Sequence, residues 1–425
     1  MLVYFKVGNY KSIKDPIVIN FNAAAISEHQ ETNVYSKGKN DLLKTVLLYG
    51  PNASGKSKIM DAFVFFRWSI INSATDTQSK QPIDTEPFLL NTRTRKEPSF
   101  FEAEFFVNKT KFRYGFEADE KAIRKEWLLE VKATTSTPLF LRIGQKFEIN
   151  DVKFPGGLGL DQRTRPNALF LSVAAQWNTR LGQQIVDWFD SIYTVHGMMD
   201  HDYKNLTTSM LKEIAHSNLI NELIQKADLG IKGLEILDIN EVKDEILNRV
   251  PVEMREEIRE RIERDLKPVF ATHNVYNDHG KVVDETPFSM ATVESEGTRK
   301  FYNLAGLLVD AVHNGRLVVI DELDARLHTL LTRAIIQLFN SEKMKTEAQL
   351  FAASHDTALL DKDLLRRDQI YFVEKDQFSA TRVTTLAEYK PRKETPYYKN
   401  YLEGKYGAIP FIENLETVLT HGEEK

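Results

Sequence analysis

A glycine-rich stretch of eight residues has the composition of a loop that binds phosphate groups. Its members are Gly50, Pro51, Asn52, Ala53, Ser54, Gly55, Lys56 and Ser57, with Lys58 directly after them. The two glycines let the backbone curl, so that successive N–H groups point at one anion. Lys56 can reach the β- and γ-phosphates of a nucleotide, and the Ser57 hydroxyl can bind Mg²⁺. The stretch therefore predicts a site for a nucleotide and Mg²⁺.

Two carboxylates, Asp321 and Glu322, follow the apolar run Leu317–Ile320. An uninterrupted apolar run is typical of a strand that is buried on both faces of a parallel sheet. At the carboxyl end of such a strand, Asp321 is predicted to hold Mg²⁺ through water. Glu322 is predicted to orient and deprotonate an attacking water, a contribution worth about 10²–10⁴-fold in rate. Many strands end in acidic residues, so the pair is informative only together with the glycine-rich loop.

A histidine and a second helix start could complete such a site. His355 follows the apolar run Leu350–Ala353. A lone histidine is usually structural, but this position at a strand end favours a hydrogen bond to the γ-phosphate. Ser295 and Gly297 precede a helix that Gly315 ends. A helix N-terminus attracts anions, which predicts a second anion site, and the alternative is that Ser295 is a simple N-cap.

The elements that position these residues can be located from apolar patterns. The strand Thr45–Tyr49 precedes the glycine-rich loop and a helix from Lys58 to about Ser69 follows it, which is the context that a phosphate loop requires. Further strands are predicted in the N-terminal third, at Leu2–Val7, Ile17–Phe21, Phe100–Val107, Lys111–Phe116, Trp127–Ala133 and Leu139–Phe147. From Pro155 to about Pro268 the pattern is mostly helical, and a solvated amphipathic helix is predicted on Met254, Ile258, Ile262 and Leu266.

Composition excludes several classes of protein. The 425 residues carry a net charge of -5 and no cysteine, which excludes disulfides, thiolate catalysis and zinc held by cysteine. Neither a signal peptide nor a long uncharged apolar segment is found, so we expect a soluble, cytoplasmic protein without a membrane partner. Basic clusters occur at Arg93, Arg95, Lys96, Arg366 and Arg367. With an acidic chain overall, we expect them to be solvated surface rather than a DNA contact.

Taken together, the motifs resemble those of ABC-type ATPases, in the branch shared by Rad50, SMC and RecF proteins. Gly50–Ser57 matches Walker A, and Ser295-Glu296-Gly297 matches the signature motif. Asp321 and Glu322 match Walker B and its catalytic glutamate, Leu323-Asp324-Ala325 matches the D-loop, and His355 matches the switch histidine. More narrowly, the chain is similar to the bacterial AAA15/AAA21 ATP-binding proteins linked to restriction and abortive infection. The stretches that resemble recurrent patterns of this family are Asn9–Ile13, Asp368–Ile370 and Tyr401–Pro410.

The resemblance implies an α/β fold with a P-loop NTPase head of the ABC type. It implies an N-terminal antiparallel β subdomain, a mostly parallel core sheet flanked by helices, and a helical insertion. The corresponding domains are an N-terminal lobe at 1–150, a helical insertion or lid at 151–268, and a C-terminal lobe at 269–425. The family's Q-loop glutamine has three candidates, Gln78, Gln81 and Gln145.

ATP and Mg²⁺ are the implied cofactors, and the implied catalytic residues are Lys56, Glu322 and His355. Asp324, Ser295 and Gly297 are implied to bind the nucleotide across a homodimer, or a higher oligomer built from head-to-head dimers. In this arrangement the signature motif of one subunit completes the site of the other.

Three functions remain open from the sequence. The first is an ATP-driven switch in antiphage defence that senses DNA or a phage protein and controls a separate toxic effector, a toxin or nuclease. The second is a DNA-repair or DNA-end-processing ATPase of the RecF or Rad50 type, although a long coiled coil is missing. The third is a nuclease of the Toprim kind at Val373–Asp376, which we interpret instead as an ordinary strand.

Overall fold

The computed structural model describes residues 1–37, 40–76, 78, 81–196, 203–236, 255, 268–391 and 395–410. The strands within these ranges are β1 Leu2–Gly8, β2 Ile17–Asn20, β3 Val34–Lys37, β4 Asn40–Leu43, β5 Thr45–Tyr49, β6 Ser99–Val107, β7 Thr110–Ala118, β8 Ile123–Val131, β9 Ser136–Ile143, β10 Lys146–Ile149, β11 Tyr193–His196, β12 Gly233–Ile236, β13 Val269–Tyr276, β14 Val282–Ser289, β15 Leu317–Asp321, β16 Gln349–Ala353, β17 Ile370–Lys375 and β18 Thr381–Thr385. The helices are α1 Gln30–Asn33, α2 Lys56–Asn72, α3 Phe170–Gln176, α4 Arg180–Asp190, α5 Lys204–Met210, α6 Ile214–Lys226, α7 Glu296–Asn314, α8 Thr329–Phe339 and α9 Tyr397–Leu402. No described helix is long and apolar enough to cross a membrane.

The N-terminal third builds an antiparallel sheet in the order β10-β9-β8-β7-β6-β1-β2. The strands predicted at Phe100–Val107 and Lys111–Phe116 are confirmed as β6 and β7, which form an antiparallel hairpin whose turn closes at the pair Val107 and Thr110. One prediction for this sheet is wrong, because Leu139–Phe147 is not a single strand. The chain reverses at Gly144, whose φ of 58° suits a glycine, and β9 and β10 then pair antiparallel.

A second sheet, in the order β11-β15-β16-β5-β17-β18, carries the glycine-rich loop. Its first five strands pair parallel, and β18 pairs antiparallel with β17. Strands β5, β15 and β16 are buried along their whole length, as their apolar runs predict. Because parallel strands share one carboxyl edge, the residues that follow β5, β15 and β16 meet there.

Helix α2, which begins within the glycine-rich loop, fills the space between the two large sheets. Phe63 packs edge-on against Phe5 of β1 at 5.1 Å and against Phe351 of β16 at 6.2 Å between ring centroids. On the other side of the parallel sheet, α7 and α8 bury their apolar faces in a second core cluster. The loop therefore begins a helix that is held from both sides by well-packed aromatic and aliphatic side chains.

Among its described residues, the segment predicted to be mostly helical contains helices α3 to α6, and also strands β11 and β12. Strand β11 pairs parallel with β15 and extends the core sheet. Helices α3 and α4 contribute buried residues to the same core cluster as α2. The boundaries at residues 150 and 268 stay a prediction. The amphipathic helix predicted on Met254, Ile258, Ile262 and Leu266 lies outside the described residues.

Residues 401–408 pack against strand β17, the neighbour of β5. Phe372 of β17 stacks on Tyr401 and Tyr406, with centroid distances of 5.4 and 5.2 Å. These two tyrosines belong to the stretch Tyr401–Pro410 that resembles a recurrent family pattern. The carboxylate of Glu374 accepts a hydrogen bond from the Ala408 N–H at 3.0 Å. Strand β17 is thus an ordinary member of the core sheet, as predicted.

The prediction that Arg366 belongs to a solvated basic cluster is wrong. Its side chain is fully buried and forms a two-pronged ion pair with Asp368, at 2.9 and 2.8 Å. Its remaining N–H groups donate to backbone carbonyls, including that of Ala24 at 3.1 Å. A guanidinium can be buried when all its donors find acceptors, so this arginine joins the 24–30 loop to the sheet.

Candidate functional site

The glycine-rich loop adopts a conformation that only small residues permit. At Gly50 an added Cβ would lie 2.2 Å from the Val373 carbonyl oxygen, and at Gly55 it would lie 2.2 Å from the Thr381 hydroxyl. Gly55 also has a φ of 112°, in the left-handed region that favours glycine. Helix α2 begins at Lys56, so its unpaired N–H groups open toward the loop. This is the backbone arrangement that the sequence predicts for binding phosphate.

Residues far away in the sequence hold the loop from outside. The Thr381 hydroxyl lies 3.3 Å from the Ser54 carbonyl oxygen and 2.8 Å from the Ser12 hydroxyl. The Thr381 N–H donates to the Ser12 carbonyl at 2.8 Å. Sequence reasoning missed both residues as parts of the site. The signal for Ser12 was the family-like stretch Asn9–Ile13, whereas nothing local to Thr381 distinguishes it.

One cavity of about 490 Å³ brings many of the predicted residues together, but its described lining does not include Gly50, Pro51, Asp321 or Asp324. Its lining consists of Ser12, Asn52, Ala53, Ser54, Gly55, Lys56, Ser57, Lys58, Glu322, His355 and Lys375. Residues from the start, the middle and the end of the chain therefore meet at the carboxyl edge of the parallel sheet. Lys375, at the end of β17, is a third lysine in this lining that sequence reasoning did not identify.

Lys56 lies folded back over its own loop. Its ammonium group is buried and donates to the carbonyl oxygens of Gly50 at 2.6 Å and Pro51 at 3.1 Å. Burial lowers the pKa of Lys56, although the carboxylates of Asp321, Asp324 and Glu322 act in the opposite direction. A phosphate in the loop would offer this cation a charged acceptor, which binds more strongly than the two carbonyls.

Asp321 ends β15 with one carboxylate oxygen unsatisfied. Its Oδ1 accepts from the Glu322 N–H at 3.1 Å, while its buried Oδ2 has no hydrogen-bond partner in the described part of the chain. Burial raises the pKa of Asp321, and the nearby Ser57 hydroxyl and His196 act against this rise. Because Mg²⁺ prefers oxygen ligands, a buried free carboxylate oxygen beside a hydroxyl fits this ion.

The Asp321 and Ser57 pair would need further ligands. Among the described residues, no group of three or more His, Asp or Glu side chains could hold a metal. Mg²⁺ usually binds one or two protein ligands together with phosphate oxygens and water, and this pattern agrees with a shared nucleotide site. His196 ends β11, and its Nε2 lies 3.9 Å from Asp321 Oδ2.

Glu322 follows Asp321 in a left-handed backbone conformation, with a φ of 53°. A non-glycine residue pays about 1–3 kcal/mol for such a conformation, which persists where the surroundings determine it and occurs often at functional sites. The half-buried side chain of Glu322 lines the cavity opposite the glycine-rich loop. A carboxylate in this position can accept a proton from water above the loop.

His355 enters the same cavity from the residues after β16. Its Nε2 lies 3.2 Å from the buried Asp324 Oδ2, and 58% of its side chain is exposed. Asp324 belongs to the stretch that resembles a D-loop, and its other carboxylate oxygen is buried without a hydrogen-bond partner in the described chain. An acidic partner can orient the imidazole so that its other nitrogen faces the cavity.

Ser295 and Gly297 lie outside this cavity lining. The Ser295 hydroxyl caps α7 by accepting from the Thr298 N–H at 3.1 Å, as the N-cap alternative predicts. Ser295 is exposed, while an added Cβ at Gly297 would lie 2.8 Å from the Arg326 carbonyl oxygen. The three candidates for the Q-loop glutamine are not among the described residues that line the cavity; they are Gln78, Gln81 and Gln145.

Comparison with known proteins identifies both similar structures and a family. No curated protein matches the chain. The chain is similar to the SMC head domain from Thermotoga maritima, with 14% identity and a TM-score of 0.40; the match covers 90% of this chain and 98% of that one. It is also similar to the SmcHead bound to the C-winged helix domain of ScpA, with 13% identity and a TM-score of 0.45; this match covers 90% of this chain and 97% of that one.

A family model matches residues 46–361 and is described as "AAA domain, putative AbiEii toxin, Type IV TA system". The matched range contains the glycine-rich loop, the exposed helix start at Ser295, both carboxylates and His355. Since it spans well over half of the sequence, the chain belongs to this family of ATPase domains.

Proposed function

We propose that this protein binds ATP with Mg²⁺ and hydrolyses it. The observation that supports this most directly is the meeting of Lys56, Glu322 and His355 around one cavity above a phosphate loop. The loop N–H groups and Lys56 bind the phosphates. Ser57 and Asp321 would hold Mg²⁺, whose positive charge would stabilise the charge developing on the phosphate oxygens. His355 donates a hydrogen bond to the γ-phosphate.

In the chemical step, Glu322 orients a water molecule and accepts its proton. The water oxygen bonds to the γ-phosphorus as the bond between that phosphorus and the bridging oxygen breaks, and ADP and phosphate leave. Steady-state turnover of ATP by the purified protein tests the assignment. Phosphate release should require Mg²⁺, and a protein that binds ATP but never turns it over would contradict the proposal.

The active form is proposed to be a dimer with two composite ATP sites. Ser295 is exposed and Gly297 is half-buried at a helix start, and neither lines the cavity of its own chain, which supports a role in a second subunit's site. Two chains related by a two-fold axis would each supply one loop and one signature motif, and ATP would be bound between them. ATP binding would then favour the joined state, and hydrolysis would weaken it.

Light scattering on Glu322→Gln tests the dimer, because this variant should hold ATP without consuming it. We expect a monomer without nucleotide and a dimer with ATP and Mg²⁺. A particle that stays monomeric at micromolar concentration with both present would contradict the composite sites.

The biological role is proposed to be a switch in antiphage defence that controls a separate toxic effector. The description of the matching family names a toxin of a type IV toxin–antitoxin system, which supports a role in a toxin-based system. The carboxylates of Glu374 and Asp376 accept hydrogen bonds from backbone N–H groups, which supports a structural use rather than a nuclease site. The pure protein should therefore leave DNA and RNA intact.

Two measurements test this role. Cells that carry this gene with its neighbouring gene should resist phage, and Lys56→Ala should remove the resistance. Nicking of nucleic acid by the pure protein, lost when Glu374 or Asp376 is changed, would instead assign the toxic activity to this chain.

A further inference from the structure

A buried lysine on α7 connects the signature motif with Glu322. Lys300 lies in the second turn of the helix and only 1% of it is exposed. Its Nζ donates to the Glu322 carbonyl at 3.3 Å and to the Ala325 carbonyl at 2.5 Å. A buried ammonium group is stable only when it is paired or hydrogen-bonded, so both carbonyls are held in fixed positions around it.

The turn that Lys300 holds has an uncommon backbone conformation. Glu322 has a φ of 53° and Arg326 a φ of 62°, so two non-glycine residues within one short turn lie in the left-handed region. Each costs about 1–3 kcal/mol and persists only when surrounding contacts determine it. The two carbonyls that Lys300 binds belong to Glu322 itself and to Ala325, the residue before Arg326.

The first turn of α7 contacts the same turn. Glu296 forms an ion pair with Arg326, with 3.4 Å between Oε2 and Nε. Gly297 lies so close to the Arg326 carbonyl that an added Cβ would be 2.8 Å from it. The signature residues, Lys300 and the 322–326 turn therefore form one continuous set of contacts within the chain.

We propose that Lys300 is a positioning residue for ATP hydrolysis, which fixes the direction of the Glu322 carboxylate by binding the backbone of its turn. The inference rests on the proposed function, because it requires Glu322 to be the base. Lys300 also couples the signature motif to this base. The second subunit's nucleotide would bind at the start of α7, and a displacement of this helix start would move the Glu322 turn through Lys300.

A buried lysine could also act only by stabilising the fold, and Lys44 offers a matched control. It is 3% exposed and donates to a backbone carbonyl, that of Ser341 at 2.8 Å, which lies outside the 322–326 turn. Lys44→Met and Lys300→Met each remove a buried cation from a carbonyl. If the role of Lys300 is purely structural, both variants should lower Tm, and their kcat values should be similar.

We expect Lys300→Met to lower kcat by about 10- to 100-fold, because a small misplacement of a reacting group has effects of this size. The Kd for ATP should stay within about twofold, since Lys300 does not line the nucleotide cavity. Lys44→Met should keep kcat within about threefold. A Lys300→Met protein with the kcat of Lys44→Met would overturn the inference.

A double variant separates this inference from the proposed function. Adding Lys300→Met to Glu322→Gln should reduce kcat no further, because both act through one group. If Lys300→Met lowers kcat by the same factor in the wild-type protein and in Glu322→Gln, the positioning role is overturned. If Glu322→Gln alone keeps full turnover, the proposed function fails instead. Should Lys300→Met not fold, Lys300→Gln, whose neutral amide nitrogen lies one bond further from the two carbonyls, carries the same test: lost kcat with unchanged Kd supports the inference and unchanged kcat overturns it.

Discussion

Two regions of this molecule differ in how completely they are built within one chain: the phosphate-loop end, around Gly50–Ser57, and the signature end, around Ser295–Gly297. The glycine-rich loop lies between β5 and α2, is fixed by Ser12 and Thr381, and faces Glu322 and His355. The signature residue Ser295 is exposed, and its hydroxyl is used to cap its own helix. The glycine-rich loop is held in place by other parts of the same chain, whereas the helix start at Ser295 is exposed to solvent.

This difference separates binding from hydrolysis. A preformed loop loses little conformational entropy when it binds phosphate, so a single chain should bind ATP. If the signature supplies groups that only a second subunit can deliver, the same chain alone should hydrolyse ATP slowly. Variants at the two ends should therefore have different effects on Kd and kcat.

Glu322→Gln should have the largest effect on kcat. The amide keeps the shape of the side chain but cannot accept a proton, so we expect turnover to fall by about 10²–10⁴-fold with little change in ATP affinity. Single-turnover phosphate release beside a fluorescent-nucleotide binding assay measures both quantities. Full turnover in this variant would exclude Glu322 as the base.

Lys56→Ala should have its main effect on binding. The loop loses its buried cation, and a hydrogen bond to a charged group worth about 3 kcal/mol corresponds to roughly 100-fold in Kd. Isothermal titration with ATP and Mg²⁺ measures this change. If affinity is preserved, the loop N–H groups alone hold the phosphates, and the phosphate-loop end would depend less on its lysine than proposed.

Ser295→Arg should leave ATP binding intact and reduce kcat by roughly 10-fold or more, because a bulky cation obstructs the helix start that the second subunit's phosphates approach. Mixing it with Lys56→Ala gives a heterodimer with one site whose loop and signature are both unchanged. If the sites act independently and subunits exchange, mixing restores some activity. Weaker ATP binding by Ser295→Arg itself would mean that the signature contacts the nucleotide within its own chain.

The smallest effect is expected from Thr381→Val, which removes the hydrogen bonds from the threonine hydroxyl to Ser12 and to the Ser54 carbonyl. The loop keeps its sequence but loses outside support, so the Kd for ATP should rise by about three- to tenfold, in line with the roughly 1 kcal/mol of a neutral hydrogen bond. Thr384→Val, on the same strand, is the matched control. Equal affinities for the two variants would show that the loop needs no support from β18.

The parts of the site that could be predicted from sequence are those encoded by adjacent residues. Gly50–Ser57, the Asp321–Glu322 pair and the cap at Ser295 each carry their spacing within a few positions, and the sheet edge then brings the first two together. Ser12, Thr381 and Lys300 could not be identified in this way, because each acts on a segment distant along the chain or through its backbone. Thr381 and Lys300 are common residue types without a distinctive local pattern, and the only local signal for Ser12 was the family-like stretch Asn9–Ile13.

Arg366 shows a different limit. Counting charges along the sequence assigns it to a solvated cluster, but the surrounding carbonyls and Asp368 satisfy every part of its guanidinium in the interior. Whether a charged residue is buried depends on acceptors supplied by remote loops, and these are known only once the chain is folded.

The position of β5 in the core sheet affects how this protein can be divided. The family match covers 46–361, yet β5 has β17, at Ile370–Lys375, as one of its two neighbours. A recombinant fragment limited to the matched range would leave one side of this strand without its partner, and exposed strand edges promote aggregation. The matched range therefore omits a strand of the core sheet, and expression trials should retain the residues on both sides of it.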